Sequence, residues 1–320
     1  MKHLSIILAL LVAYACAQAL NQTIVGCIAL QCPPSTESVV DNCTVADSSF
    51  SIVGFTQIPT ENNDLKGKVS WTKGFNATDN LHNNRTFHSS FYFGTSPDLD
   101  LGDTGACAVL FHGIEAALSF DSFDKETAQG TCSDAMGSGC VTALLDRAKK
   151  LLDSFGNDIP SSEEACSKLQ DDMLKNMDNA CLSVSKSWTN LTPTILSGNG
   201  ALQPLSGDKN SSSTCWPVLP KENQLTLASE YYTKGGGSID DLEAAMFAIT
   251  PILTLFYPTG NQSIVTEADA SLSCLKVVGP DRASLGTMSD GSQGGGPKTF
   301  SLHSLFFGFV AATVAAAWLA

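Results

Sequence analysis

The feature that most constrains this fold is the distribution of its eleven cysteines. One of them, Cys16, lies in an apolar N-terminal segment, and ten are spread over the rest of the chain: Cys27, Cys32, Cys43, Cys107, Cys132, Cys140, Cys166, Cys181, Cys215 and Cys274. An even set in an oxidising compartment indicates up to five disulfide bonds. Zinc is the competing interpretation, but the chain has no Cys-x-x-Cys pair. The sequence therefore predicts a disulfide-bonded protein with no metal centre and no cofactor.

The N-terminus has the pattern of a secretory signal peptide. A basic start precedes an apolar segment from Leu4 to Ala13, and the small residues Ala17 and Ala19 suit signal peptidase. We expect residues 1–19 to be removed, together with the first cysteine. Cleavage directly after Ala17 is an alternative.

The C-terminus has the pattern of a GPI-anchor signal. Small residues up to Gly296 are followed by a polar spacer, 297–304, and by an apolar run of 16 residues from Leu305 to Ala320. The alternative is a transmembrane helix, which needs about 20 apolar residues and a basic cytoplasmic flank. The run is shorter than that and has no such flank, so the sequence favours GPI processing.

The lipid is expected on Gly294, because the two residues after it are also glycines and the spacer then has the usual length. Gly291 and Ser289 are the alternatives. The domain organisation that follows is a signal peptide (1–19), one ectodomain (20–280), a short stalk (281–294) and a removed propeptide (295–320).

Charge and sequons are consistent with a secreted protein. The net charge is −14, and no basic cluster could neutralise the phosphates of a nucleic acid, so nucleic acid is excluded as a partner. An acidic surface keeps such a protein soluble. Seven Asn-x-Ser/Thr acceptors predict N-glycosylation, at Asn21, Asn42, Asn76, Asn84, Asn190, Asn210 and Asn261.

The first part of the ectodomain is predicted to be β-rich, over residues 20–120. Strands are indicated at 51–55, 68–72 and 86–93, where apolar residues alternate. In the third of these, three phenylalanines share one face, while His88 and Tyr92 share the other. The run 107–112 is interpreted as a fourth strand.

The middle part is predicted to be helical, over residues 138–190. Apolar residues from Val141 to Phe155 recur at three- and four-residue steps. A capping box at 161–164 begins a second helix, which extends to about Trp188 and contains both Cys166 and Cys181. A short link predicts that the two helices form an antiparallel hairpin.

One disulfide follows from that hairpin. The two cysteines of the second helix would lie about 22 Å apart at the helical rise, too far to bond to each other. We expect Cys181 to bond to Cys140 or Cys132, and Cys166 to find a partner outside the hairpin. A loop (192–214) and a mixed region (215–280) follow. The fold class predicted is α+β: a disulfide-stapled single ectodomain with an N-terminal antiparallel β region and a central antiparallel helical hairpin.

Catalytic signatures are few. The chain has neither a Gly-x-Ser-x-Gly elbow nor a His-Glu-x-x-His helix. His112 and Glu115 form the most suggestive acid–imidazole pair, although a hydrogen-bonded histidine at a strand end explains them as well. Three carboxylates close in sequence are weak candidates for a calcium site: Asp98, Asp100 and Asp103.

The signal peptide, the sequons, the ten cysteines and the anchor signal together resemble the uncharacterised cysteine-rich, GPI-anchored secreted proteins of filamentous fungi. The resemblance is one of architecture over the whole chain and implies no activity. It implies a location on the outer face of the plasma membrane or in the cell wall, reached through the secretory pathway. The partners implied are the membrane, through the GPI lipid, and cell-wall polysaccharide or other glycans.

Two functions remain open from the sequence. The favoured one is a non-enzymatic surface glycoprotein that serves wall structure, adhesion or surface shielding. The alternative is a carbohydrate-binding or carbohydrate-active protein that stacks sugars on Trp71 and Tyr92. Exposure of these two side chains beside carboxylates would favour the alternative, and burial of Trp71 would favour the first.

Overall fold

The computed structural model describes residues 24–27, 29–32, 43–80, 84–112, 118–120, 124–156, 158–175, 178–184, 188, 190–206, 213–236 and 238–279. The predicted signal peptide, stalk and propeptide lie outside these residues, with the attachment candidates Gly294, Gly291 and Ser289. The acceptors Asn21, Asn42 and Asn210 also lie outside them. No helix in the described part of the chain is long and apolar enough to span a membrane.

Ten strands, arranged in three antiparallel sheets, make up most of the regular structure of the described residues. Two sheets have four strands each, in the orders β3-β4-β5-β8 and β10-β9-β6-β7, and β1 and β2 form a small hairpin. The strands are β1 (Cys43–Val45), β2 (Ser48–Phe50), β3 (Ile52–Gln57), β4 (Val69–Asn80), β5 (Asn84–Thr95), β6 (Thr104–His112), β7 (Asn190–Ile195), β8 (Gln224–Gly235), β9 (Thr250–Pro258) and β10 (Asp269–Leu275).

The sheet β3-β4-β5-β8, called the outer sheet here, follows the period-two pattern of its sequence. In β4, the buried side chains of Trp71, Lys73 and Phe75 lie on one face and alternate with smaller residues. Trp71 is opposite Phe93 of β5, and their ring centroids are 5.3 Å apart. The strands predicted at 51–55, 68–72, 86–93 and 107–112 are confirmed as parts of β3, β4, β5 and β6.

The sheet β10-β9-β6-β7, called the central sheet here, is covered on both faces. Every residue of β6 is buried, and β9 is buried from Thr250 to Tyr257. A strand that is buried on both faces has a continuous run of apolar residues in its sequence, in antiparallel as in parallel sheets. This explains the apolar stretches of β6 and β9.

The outer and central sheets pack face to face. The indole Nε1 of Trp71 donates to Thr254 Oγ1 of β9 at 3.0 Å, and Thr194 Oγ1 of β7 donates to the carbonyl of Ala228 at 3.2 Å. At Gly54 of β3, the chain after β10 comes so close that an added Cβ would lie 1.9 Å from the carbonyl oxygen of Lys276. A glycine is therefore required at this contact.

Four α-helices in the described part of the chain accompany the sheets: α1 (Cys132–Met136), α2 (Ser138–Asp153), α3 (Ser162–Lys175) and α4 (Ile239–Met246). The helix α3 lies on β6 and β7, and α2 lies on β10. Gln170 of α3 donates from Nε2 to the carbonyl of Leu191 in β7 at 2.7 Å. Helices α1 to α3 thus form a third layer over the central sheet, while α4 packs at an end of the outer sheet.

The α+β fold class with a central helical hairpin is wrong. Strands of the C-terminal third pair with N-terminal ones, β8 with β5 and β9 with β6, so the described chain is mostly β and has no separate N-terminal β region. The buried residues of α2 and α3, such as Leu144 and Leu169, join the core over the central sheet. Each helix packs mainly on a sheet rather than on the other helix, which is why the predicted hairpin is not formed in the described residues.

The second helix is also shorter than predicted. It ends at Lys175, and Cys181 lies in a separate 3₁₀ turn, Asn179–Cys181, capped by Asp178. The strand β7 occupies the junction that was assigned to the end of the helical segment and the start of the loop.

Four disulfide bonds join cysteines of the described residues, which confirms the prediction of a disulfide-bonded protein: Cys43–Cys215, Cys107–Cys166, Cys132–Cys274 and Cys140–Cys181. Of the two partners left open for Cys181, the structure has Cys140. The partner of Cys166 is Cys107 of β6. Two bonds therefore fasten the helical layer to the central sheet, and a third closes the helical layer itself.

The solvent-facing side of the outer sheet is partly covered by the hairpin β1–β2 and by the segment 213–218. Phe50 of β2 packs on Tyr92 with ring centroids 6.0 Å apart, and Thr72 Oγ1 donates to the carbonyl of Pro217 at 2.7 Å. The Cys43–Cys215 bond joins the two covering pieces. A smaller apolar cluster forms beneath them.

Candidate functional site

A lysine in the interior of the sandwich is the most unusual chemical group of the described residues. Lys73 of β4 lies on the face packed against the central sheet and is 2 % exposed. Its Nζ donates to the carbonyl of Ala248 at 2.8 Å and lies 5.8 Å from the ring centroid of Phe91. Burial, reinforced by the like charge of Lys276, lowers the pKa of Lys73 to about 7.

This lysine lines a cavity of about 220 Å³ at the end of the sheet interface where β6 ends and β9 begins. Much of the wall consists of phenylalanine rings: Phe75, Phe87, Phe91 and Phe111. Tyr231, Thr233 and Ala244 also line the cavity and are half-buried, so the space is reached between β8 and α4. The arrangement is an apolar pocket with one amine in its wall.

His112, the last residue of β6, is the second titratable group in this wall. Its Nε2 lies 3.2 Å from Ser229 Oγ, and its ring stacks on Tyr231 with centroids 4.6 Å apart and planes inclined by 6°. Burial, together with the charge of Lys73, lowers the pKa of His112 to about 4. The imidazole is therefore neutral at neutral pH. Glu115, its suggested partner, lies outside the described residues.

A second polar cluster lies on the opposite face of the outer sheet. Glu230 Oε1 is 2.9 Å from His88 Nε2, and Ser90 Oγ is 3.0 Å from the same nitrogen. In a serine hydrolase triad the serine and the acid contact different ring nitrogens. Because both groups meet Nε2 here and Ser90 is fully buried, the arrangement is a hydrogen-bonded surface cluster and not a triad.

Tyr232 is the exposed member of that cluster. Its ring is stacked on His88 with centroids 4.2 Å apart and planes inclined by 3°, and the residue is 57 % exposed. Its hydroxyl donates to Glu230 at 3.4 Å. The sequence analysis did not select it.

The two proposed sugar-stacking residues are both buried. Trp71 is 0 % exposed and lies between the sheets, and Tyr92 is 2 % exposed beneath the β1–β2 hairpin. Burial raises the pKa of Tyr92 above its ordinary value. Neither ring presents a face to solvent, so neither can stack on a sugar without rearrangement of the core.

The three carboxylates proposed for calcium are engaged separately. Asp98 pairs with Lys68 at 3.4 Å, and Asp100 Oδ1 accepts from the backbone of Gly102 at 2.9 Å. Asp103 Oδ2 accepts from the backbone of Gln262 at 3.1 Å. The structure places them along one loop without bringing their oxygens together around a common point.

Within the described part of the chain, one group of three potential metal ligands does lie close together. The sulfurs of Cys32, Cys43 and Cys215 are within 4.8 Å of one another, and Cys32 Sγ is 2.7 Å from Cys215 Sγ. Two of the three are joined in a disulfide. Metals are bound by thiolates, so this group is a disulfide with a neighbouring thiol and not a metal centre in its present state.

A groove of about 710 Å³ lies between α2 and the segments around β10. Carboxylates are prominent in its wall: Glu61, Asp64, Glu267 and Asp269. Asp269 accepts a hydrogen bond from Thr60 Oγ1 and is a structural contact. The described lining includes no aromatic ring.

Glycosylation acceptors differ in accessibility. Asn190 and Asn261 are exposed, while Asn76 is half-buried and accepts from Ser51 Oγ at 3.1 Å. Asn84 is the first residue of β5. The exposed pair offers room for a glycan.

Lys73 was missed by the sequence analysis, although a signal was present. A lysine in phase with Trp71 and Phe75 in an alternating strand is placed on the buried face, where an ammonium group is rare. Tyr231 gave no such signal, because its contact with His112 depends on the pairing of distant strands.

Comparison with known proteins gave no match: no family model, no curated protein and no solved structure matches this chain. Function is therefore inferred from the geometry of the described residues and from the sequence patterns.

Proposed function

We propose that this protein is a glycosylated, GPI-anchored protein of the outer cell surface or cell wall, with a non-enzymatic role in wall structure, adhesion or surface shielding. The observation that carries the proposal is the set of four disulfide bonds in the described residues, two of which fasten the helical layer to the central sheet. Disulfides of this kind form and persist in the secretory pathway and outside the cell. The proposal includes kinship with the cysteine-rich GPI proteins of filamentous fungi.

Two further observations support a passive surface role. The exposed acceptors Asn190 and Asn261 can carry glycans away from the core. The rings of Trp71 and Tyr92, on which a sugar-binding function would have depended, are part of the core. The partners in this proposal are the membrane, through the lipid, and wall polysaccharide.

The anchor is tested by treating intact cells with phosphatidylinositol-specific phospholipase C. The mature chain, without residues 295–320, should be released into the medium, because the enzyme cleaves the lipid from the glycan. As a control, Val310→Arg interrupts the apolar tail, so the chain should not become anchored and its distribution should not respond to the enzyme. Recovery of a mature peptide that contains Trp318 would contradict the proposal.

Glycosylation is tested by enzymatic removal of N-glycans. The apparent mass should fall in several steps, and Asn190→Gln and Asn261→Gln should each remove one step. A protein that runs at its polypeptide mass before treatment would remove the main support for shielding.

A second candidate function, carbohydrate binding, is favoured by one observation. Tyr232 is an exposed ring, stacked on His88 and adjacent to the carboxylate of Glu230. Aromatic faces beside polar groups suit sugar rings. Binding of the deglycosylated protein to a glycan array, lost in Tyr232→Ala and kept in Tyr231→Phe, would support this candidate over the first.

A further inference from the structure

Lys73, the buried lysine of the sandwich, has no partner of opposite charge in the part of the chain that the structure describes. Among the residues that the structure describes, no carboxylate forms an ion pair with Lys73, and one carbonyl oxygen, that of Ala248, accepts from its amine. An ammonium group has three N–H donors. Burying it without an anion costs several kcal/mol, so buried charges are normally paired.

Lys276 shows what a satisfied buried lysine looks like in the same molecule. It too is 2 % exposed, but its Nζ donates to the carbonyls of Lys125 and Glu126, and the carboxylates of Asp124 and Glu126 act on it favourably. Its pKa is lowered less, to about 8. Lys276 does not line the cavity, whereas Lys73 does.

We propose that the cavity beside Lys73 binds a small monocarboxylic acid with an apolar body, whose carboxylate pairs with the Lys73 amine. The Lys73 ammonium would pair with the carboxylate of the ligand, and the four phenylalanine rings of the wall would pack on its apolar body. Its volume, about 220 Å³, is below the roughly 300–1,000 Å³ of ordinary ligand pockets, which restricts the ligand to a small molecule.

The charges around the cavity favour a ligand with a single negative charge. Among the described residues, the titratable groups that face Lys73 are His112 on β6, Tyr231 on β8 and Lys276 after β10. His112 is neutral at neutral pH and adds no positive charge, and burial raises the pKa of Tyr231, so that its phenol adds no negative charge. Phosphate sites in proteins usually offer several donors or a helix N-terminus, and this wall offers one amine.

The probe is sodium benzoate, titrated calorimetrically at pH 6 into the full chain produced in a secreting eukaryotic host and purified in its mature form. Saturable binding with one site is expected, with hexanoate as a second probe. Benzamide has the same shape without the charge and should bind at least tenfold more weakly. Equal binding of benzamide, or no binding of either acid, overturns the proposal.

The lysines give a matched pair of variants. Lys73→Met keeps the length and apolar stem of the side chain and should weaken benzoate binding at least tenfold. Lys276→Met removes the other buried ammonium and should leave binding within about twofold of the wild type. If both variants lost binding, the loss could come from a destabilised fold rather than from the missing amine of Lys73. A third variant therefore tests the cavity itself.

Ala244→Phe fills the mouth of the cavity from the half-buried face of α4 without touching the amine. It should abolish benzoate binding, while Ile239→Phe, at a position of the same helix that is 69 % exposed, should not. Binding that survives Ala244→Phe places the acid elsewhere and overturns the proposal.

A pH series separates ion pairing from apolar binding. Between pH 6 and 8 benzoate remains an anion while Lys73 loses its proton, so the affinity should fall about tenfold, as expected for a group with a pKa of about 7. NMR titration of the Lys73 side chain should show that saturating benzoate raises its pKa. An unliganded pKa above 10 would mean that the protein already supplies the counter-charge, which also overturns the proposal.

Discussion

β9 and β8 are both strands of four-stranded antiparallel sheets, and they bury different shares of their residues. In β9 of the central sheet, every residue from Thr250 to Tyr257 is buried. In β8 at the edge of the outer sheet, exposed and half-buried residues alternate from Glu230 onward. The difference arises because helices cover the second face of the central sheet, whereas the second face of the outer sheet is only partly covered.

The two sheets are therefore stabilised in different ways. The central sheet is enclosed and covalently fastened to its helices, so changes within it should be costly. The outer sheet has a wet face that can carry polar clusters at little cost in stability, and it also contributes the buried lysine. The four predictions below challenge this contrast, from the largest expected effect to the smallest.

The first prediction concerns the bond between β6 and α3. Replacing Cys107 and Cys166 together by alanine should lower the free energy of unfolding by about 4 kcal/mol, because the disulfide closes a loop with a sequence separation of 59. Chemical denaturation without reductant measures the loss. A loss below about 1 kcal/mol would mean that the helical layer does not depend on its covalent attachment.

The second prediction compares one leucine in each sheet. Leu253→Ala in β9 removes a fully buried side chain and should cost about 2–5 kcal/mol, because the enclosed site cannot collapse. Leu227→Ala in β8, where the residue is half-buried, should cost about 1 kcal/mol. Equal losses in urea denaturation would remove the distinction between the sheets.

The third prediction concerns pH. The pKa of Lys73 is lowered from 10.5 to about 7 on folding, so between these values the unfolded chain holds a proton that the folded chain has released. Stability should therefore rise with pH through this window, and the penalty is largest below pH 7. From pH 7 to 8, wild type should gain about 1 kcal/mol relative to Lys73→Met. Parallel stability curves for the two proteins would contradict this prediction.

The fourth prediction concerns the wet face of the outer sheet. Glu230→Gln removes the carboxylate that faces His88 and should change the free energy of unfolding by less than about 1 kcal/mol, because this polar contact is partly exposed. Thermal unfolding at low and moderate salt is the measurement. A loss of unfolding free energy near that of Leu253→Ala would show that this face does not tolerate substitution.

The strands of the outer sheet could be predicted because their alternation is local. On one face, β4 carries Trp71 and Phe75 in phase, and β5 carries three phenylalanines in phase. The pairing of β5 with β8 could not be predicted, since it joins residues such as His88 and Tyr232 that lie far apart in the chain. β7 was missed because Pro193, in the middle of its six residues, weakens the strand signal.

The helical hairpin was predicted for a similar reason. The apolar stripes of α2 and α3 are real, but a stripe shows only that a helix has a buried face and not what it is buried against. The candidate cavity needs β4, β6, β8 and α4 together, so only the burial of Lys73 had a local signal. The chemistry of its neighbours depends on the assembled fold.

The position of Cys274 has a mechanical consequence. β10 is an edge strand of the central sheet, and its hydrogen bonds with β9 would break one after another if the chain were pulled from beyond Gly279. Cys274 is the second-last residue of β10, and its bond to Cys132 transfers such a load directly into α1. A force applied at the C-terminal end of the described chain would therefore act on α1 and the central sheet together rather than peel off the last strand.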